Sequence, residues 1–238
     1  MKKHIIIVFA MSLLSVASFA QNTSDFFSKA DAFFKAYVVN GKVNYSKIHN
    51  EPQTLDEVLK LAEGISVSKT DANVYQAFWI NAYNLSVVKG IIDNYPLNSP
   101  LDKKGFFDKT TYALGGKNTT LNNIEHKLLR EVFNDARFHF VLVCGAIGCP
   151  PLISKAYLPK TVDSQMTKQT KIALNGSFLK VNAKKKHVEA SQIMEWYKGD
   201  FTMNGKNEID FINLYRTEKI ATDFKLSYFP YNWKTNAL

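Results

Sequence analysis

Cys144 and Cys149 bracket the run Cys-Gly-Ala-Ile-Gly-Cys-Pro-Pro and are the only cysteines in the chain. A cysteine does nucleophilic chemistry as its thiolate, so it needs a base or a positive neighbour that lowers the thiol pKa. Two histidines can supply that neighbour: His126, directly after Glu125, and His139. The candidate catalytic set is Cys149 as nucleophile, His126 as base and Glu125 as its orienting group, by the general logic of a triad. The opposing reading joins Cys144 to Cys149 in a disulfide, which an exported protein can keep. Gly145 and Gly148 let the backbone turn sharply enough for either state, and both readings stay open.

Spacing argues against a direct Cys–His pair. Phe138 to Val143 is β-branched and aromatic and reads as a buried strand. His139 and Cys144 would then lie about 16 Å apart at roughly 3.3 Å per residue. If the preceding helix returns antiparallel, His126 lies level with His139. The expected packing is therefore two clusters, Glu125, His126 and His139 in one and the cysteines in the other. A metal held by His126, His139 and Glu125 is disfavoured, because adjacent helical residues point about 100° apart. No metal or cofactor is expected. His49 and His187 lie in polar surroundings and read as surface residues.

Asn81 and Asn84 sit beside Trp79 and Tyr83 in an apolar helix. Asparagine is a mediocre helix former, and a buried amide must find partners. These amides either bind a ligand or tie the helix to a neighbouring loop.

The elements that must carry these residues follow from periodicity and punctuation. A helix capped by Thr23 or Ser24 runs through Tyr37, with Phe26, Ala30, Phe33, Phe34 and Tyr37 on one face. Asn40-Gly41 breaks it, and Val43 to Tyr45 reads as extended. Pro52 opens a second helix that ends at Gly64. The longest helix spans Asp71 to Asp93, with Val74, Phe78, Ala82, Leu85, Val88 and Ile92 along one face. A short hairpin at Tyr112 to Leu114 precedes Gly115-Gly116. Thr120 caps a helix with Leu121, Ile124 and Leu128 inward. The cysteine run is a shaped loop. A helix covers 162–175, Val181 pairs with Val188 across a lysine turn, and short helices cover Ser191 to Tyr197 and Glu208 to Tyr215. Leu226 to Trp233 is extended. With no repeat or long linker, residues 21–238 read as one α+β domain, helix-rich with a small sheet.

The chain has 238 residues, is 46% hydrophobic and carries a formal net charge of +9. That composition belongs to a globular protein with a real core and excludes whole-chain disorder or a disulfide-stapled scaffold. Lys2-Lys3, the apolar run Ile5 to Leu14 and Ser18-Phe19-Ala20 make the three parts of a secretory leader cut after Ala20. The protein is therefore expected outside the cytosol, in the periplasm or secreted, with no membrane span once the leader is gone. Basic charge without a nucleic-acid motif does not point to DNA or RNA.

Phe78-Trp-Ile-Asn-Ala-Tyr-Asn84, Leu121 through Glu125-His126 to Arg130, Asp135-Ala-Arg-Phe-His-Phe140 and the Cys144 to Leu152 run together resemble the DUF547 family. The tail pieces Trp196-Tyr197, Asp200-Phe201 and Tyr231-Asn232-Trp233 resemble it too, so that the likeness spans nearly all of the mature chain. Ala136 stands where the family pattern has proline. The resemblance marks Asn81, Asn84, Glu125, His126, Arg137, His139, Cys144 and Cys149 as motif positions, and implies no reaction. An arrangement like that of a cysteine protease is compatible with these residues. The expected function is a domain that binds a small molecule, peptide or cell-envelope component, with Asn81, Asn84, Arg137, His139 and Cys144 as binding residues. The alternative is a thiol-dependent hydrolase or acyl-transfer enzyme.

Overall fold

The computed structural model describes residues 22–238; the expected leader lies outside the described residues. Helix α1, residues 22–37, buries Phe26, Phe33 and Phe34 completely or nearly so. A tight hairpin follows, β1 (Val38–Val39) against β2 (Lys42–Val43). Its turn needs left-handed backbone at Asn40 and Gly41, which these residue types tolerate. Tyr45 does not continue an extended piece as expected. Asn44 caps α2 (Tyr45–Asn50) by accepting from the Lys47 amide, and local capping wins over the β-propensity of Val43 and Tyr45. Helix α3 is Gln53–Gly64.

Helix α4 (Ala72–Ile92) begins where Asp71 accepts from the Val74 amide, and it is the axis of the fold. The sequence suggested one apolar face. The structure buries the helix nearly all round, including Asn81, Asn84 and Ser86, as befits a helix enclosed by other elements. A second hairpin pairs β3 (Thr111–Leu114) with β4 (Lys117–Thr120). Thr120 then accepts from the Asn123 amide and starts a wide π-type turn, Asn123–Arg130, that passes into α5 (Glu131–Phe133).

The expected strand from Phe138 to Val143 does not form. Asp135 caps a 3-10 helix, Ala136–Phe140, through the Arg137 amide, and the chain continues irregularly into the cysteine loop. The apolar run is buried as a strand would be: Phe138, His139, Phe140 and Val141 are each 5% exposed or less. Its backbone groups are met otherwise, by Asn84, whose Nδ2 donates to the Val141 carbonyl while its Oδ1 accepts from the Val143 amide, both at 2.9 Å. A short apolar run cannot distinguish a strand from a buried turn by pattern alone.

The chain ends in α6 (Val162–Asn175), β5 (Leu179–Asn182), β6 (His187–Ser191), α7 (Gln192–Trp196), α8 (Lys198–Phe201), α9 (Glu208–Tyr215) and β7 (Lys225–Phe229). Val181 pairs with Val188 as expected, and β7 joins β6 in parallel to complete a three-stranded sheet. The fold is a helix-rich α+β single domain with small sheets. It holds two apolar clusters. The larger surrounds α1, α3 and α4, and the smaller gathers Phe140, Phe178, Met194, Phe201 and Ile212; Cys149 packs against both. No described helix is long and apolar enough to cross a membrane.

Candidate functional site

A cavity of about 400 Å³ opens beside that boundary. Tyr83 reaches it from α4, Glu125 from the π-type turn, His139 from the 3-10 helix and Cys144 and Cys149 from their loop. The opposite walls come from the last third of the chain: Trp196, Tyr197, Tyr231 and Trp233. The two clusters expected from spacing are thus partly merged. His139 and both cysteines line one cavity, because the segment between them is coiled and bent rather than extended.

Cys144 and Cys149 are joined as a disulfide, with Cα atoms 6.4 Å apart. The Tyr231 hydroxyl lies 2.7 Å from Cys144 Sγ and 2.9 Å from Cys149 Sγ. Bonded sulfurs carry no hydrogen, so the phenol is the donor. The Cys144 amide donates to Cys149 Sγ at 2.9 Å. The loop is held by the C-terminal tail through three backbone bonds: Ile147 to the Lys234 carbonyl, Gly148 to that of Asn232, and Asn236 to that of Gly145. Gly148 lies so close to Tyr231 that an added Cβ would fall 2.7 Å from the ring.

His139 is 5% exposed and stacks on Tyr197 with ring centres 4.1 Å apart. Its Nε2 lies 2.7 Å from Asp200 Oδ2. A carboxylate can only accept, so Nε2 carries the hydrogen. Arg130 Nε donates to the same Asp200 oxygen at 2.7 Å, and its guanidinium lies over the other side of the group, 4.5 Å from the Tyr197 ring centre. Burial alone would raise the Asp200 pKa. The hydrogen bonds and charges of His139 and Arg130 outweigh it and hold the carboxyl well below its ordinary range.

Glu125 accepts from the Tyr83 hydroxyl at 3.5 Å. Burial, and then the nearby Glu125 charge, push the Tyr83 and Tyr197 hydroxyls well above the ordinary tyrosine value. Burial does the same to Tyr231. All three phenols are neutral donors near neutral pH. The lining holds two carboxylates, Glu125 and Asp108, and neither lysine nor arginine.

The other residues singled out from sequence lie elsewhere. His126 is not in the lining; its Nδ1 accepts from Arg130 Nη1. Arg137 makes a fork on Asp135 and reaches Asp163 Oδ1 at 2.8 Å, tying the 3-10 helix to α6. Asn81 donates to the Tyr157 carbonyl at 2.7 Å and accepts from the Tyr157 amide at 2.9 Å. With Asn84 it pins the chain on both sides of the cysteine loop. Both amides are in the lattice of ties the sequence allowed, and neither faces the cavity. Among the described residues no group of three or more His, Cys, Asp or Glu is placed to hold a metal ion. Sequence reasoning missed the His139–Asp200 pair and the Tyr231–sulfur contacts. The signal for them was that Asp200 and Tyr231 lie in the tail pieces that carry the resemblance, without partners assigned.

No curated protein and no solved structure matches the chain. The family match is narrower than the resemblance suggested: it ends before Trp196, Tyr197, Asp200, Tyr231 and Trp233, which complete the cavity wall and its hydrogen bonds. Residues 67–172, from just before α4 almost to the end of α6, match the model described as protein of unknown function, DUF547.

Proposed function

We propose that the protein is an exported ligand-binding domain whose cavity takes a small molecule, or the end of a peptide or envelope component, that carries an amino or ammonium group beside a flat apolar or sugar face. The observation that carries this is the make-up of the lining: carboxylates and aromatic faces without a lysine or arginine, in a protein of formal net charge +9. A volume of about 400 Å³ is in the range of small-molecule sites, which are mostly apolar with a few placed polar groups. Aromatic faces attract a cation within about 6 Å, by roughly 0.5–2 kcal/mol. Trp196 is 45% exposed and stacks near Trp233 at 5.8 Å, so it offers such a face at the rim. Arg130 lies over the Tyr197 ring, outside the lining, and is ion-paired to Asp200. The leader-like first twenty residues support export.

The test is calorimetry with benzyltrimethylammonium, glucosamine, glucose and benzoate. Binding of the cationic probes that weakens in Glu125→Gln and Trp196→Ala supports the reading. Tighter binding of benzoate than of the cations, or no binding by any of the four, refutes it.

One observation favours a second reading, a thiol-dependent hydrolase or acyl-transfer enzyme: His139 lines the same cavity as both cysteines. In that reading Cys149 is released from Cys144 by reduction, and His139 takes the role of base that triad logic had given to His126. Iodoacetamide labelling of the reduced, folded protein that slows in His139→Gln supports it; equal labelling rates count against it.

A further inference from the structure

We infer that the Cys144–Cys149 disulfide is a reactive group, and that the cavity carries out thiol–disulfide exchange with a small dithiol. The inference goes beyond the ligand reading and does not rest on it. A disulfide kept only for stability needs no donors at its sulfurs. Here the Cys144 amide donates to Cys149 Sγ at 2.9 Å, and the Tyr231 hydroxyl, with one hydrogen to give, lies 2.7 Å from Cys144 Sγ and 2.9 Å from Cys149 Sγ. Both cysteines are partly exposed and line a cavity large enough to admit a small thiol. The Tyr231 hydroxyl is within reach of either sulfur and of no carboxylate among the bonds it makes.

The amide decides which sulfur leaves, since the hydroxyl can serve either. Exchange is faster when the departing thiolate is stabilised, and the attack falls on the other sulfur. Cys149 has the amide donor that Cys144 lacks, so Cys149 leaves and Cys144 is attacked. A thiolate of the dithiol forms a bond to Cys144 Sγ, and the Cys144–Cys149 bond breaks with its electron pair going to Cys149. The second thiolate of the dithiol then bonds to the first sulfur, and Cys144 leaves with the electron pair of the mixed disulfide. The dithiol is oxidised by two electrons to its disulfide. The cysteine pair is reduced, and the two protons of the substrate thiols end on Cys144 and Cys149. The reverse reaction, with a small disulfide as oxidant, restores the starting state.

The loop is built to keep this geometry. Gly148 brings the chain onto the Tyr231 ring, and the tail bonds at Gly145, Ile147 and Gly148 fix the loop against the segment that carries Tyr231. The sulfurs and their donor are therefore held together without requiring the disulfide itself.

The experiment follows reduction of the folded protein by dithiothreitol, with acid quench, alkylation and mass spectrometry, while circular dichroism reports the fold. The bond is expected to open in the native protein with tertiary signal retained. Tyr231→Phe, which keeps the ring, should slow opening about tenfold at an unchanged denaturation midpoint, since a hydrogen bond to a developing thiolate is worth about that factor. With reduced glutathione as a monothiol probe on the parent disulfide, the mixed disulfide trapped by acid quench should sit on Cys144 at least tenfold more often than on Cys149. Reduction only in denaturant, or equal rates for Tyr231→Phe and the parent, overturns the inference; a glutathione adduct mainly on Cys149 overturns the assignment of Cys144. The ligand reading is scored separately by calorimetry, which these outcomes leave unchanged.

Discussion

Replacing Asn84 with leucine removes two hydrogen bonds and keeps the branched arrangement of the side chain's heavy atoms. In the folded protein the amide meets the Val141 carbonyl and the Val143 amide, each at 2.9 Å, in a site 1% exposed. Leucine leaves both backbone groups buried and unpaired. Each such group costs about 1–3 kcal/mol, and burying leucine in place of an amide returns about 1 kcal/mol. The net loss should be about 1–5 kcal/mol. For a domain of this size the middle of that range, about 3 kcal/mol, corresponds to a fall in Tm of about 6–12 °C. Urea denaturation should show a lower midpoint with an unchanged slope, because the surface exposed on unfolding is the same. Asn81→Leu should behave alike, since its partners at Tyr157 are lost in the same way. A midpoint within experimental error of the parent's for Asn84→Leu would refute the reasoning, for it would mean that residues 141–143 find water when the amide is gone.

Asp200→Asn should flatten the acid limb of stability. The carboxyl is held below its ordinary range in the fold, so its stabilisation is complete above about pH 4, the ordinary carboxylate value, and is lost as pH falls through the depressed folded value. Denaturation midpoints measured from pH 6 down to pH 2 should therefore fall more steeply for the parent than for the variant; parallel curves would contradict the pairing with His139 and Arg130. Gly148→Ala should destabilise by about 1–3 kcal/mol, because its Cβ would meet the Tyr231 ring at 2.7 Å and the Asn232 nitrogen at 2.9 Å; a neutral effect on the urea midpoint would show that the tail does not lie against the loop. Removing residues 232–238 deletes the tail bonds to Gly145, Ile147 and Gly148 as well as those of Asn236 to Val43 and Tyr45, and it should lower Tm by more than either asparagine substitution.

Most helices were legible because their punctuation is local. Asp71, Thr120 and Ser191 are capping residues, and Gly64 closes a helix whose inward positions Leu55, Val58 and Ala62 keep a 3.6 period. The segment 138–143 was not legible, since burial selects the same residue types for a strand and for a coiled 3-10 piece. What decides between them is Asn84, more than fifty positions away, which satisfies the backbone that a neighbouring strand would otherwise have paired. The site was legible as a list of residue types and illegible as a set of partners. Glu125, His139, Cys144 and Cys149 were named from the sequence and do share a cavity, whereas His126 faces Arg130, and Arg137 and the two asparagines hold the scaffold.

The side-chain partners of His139 and of the two sulfurs come from beyond residue 172, where the family match ends. Within the matched segment, His139 is a buried imidazole and the cysteines are a loop disulfide, neither with an evident task. Asp200 fixes the hydrogen of His139 on Nε2, and Tyr197 covers the ring; Tyr231 places a neutral hydroxyl between the two sulfurs. Tyr197 is the residue between α7 and α8, Asp200 lies in α8 with its amide bonded to the Tyr197 carbonyl, and Tyr231 follows β7, whose parallel pairing with β6 sets where the tail begins. The three-stranded sheet therefore acts on the site at a distance: its register carries Tyr231 to the cysteine loop and brings the Trp196–Tyr197 wall to His139. A substitution that shifts β7 by one residue would turn its side chains to the opposite face and carry Tyr231 away from the sulfurs, while leaving every residue of the matched segment in place.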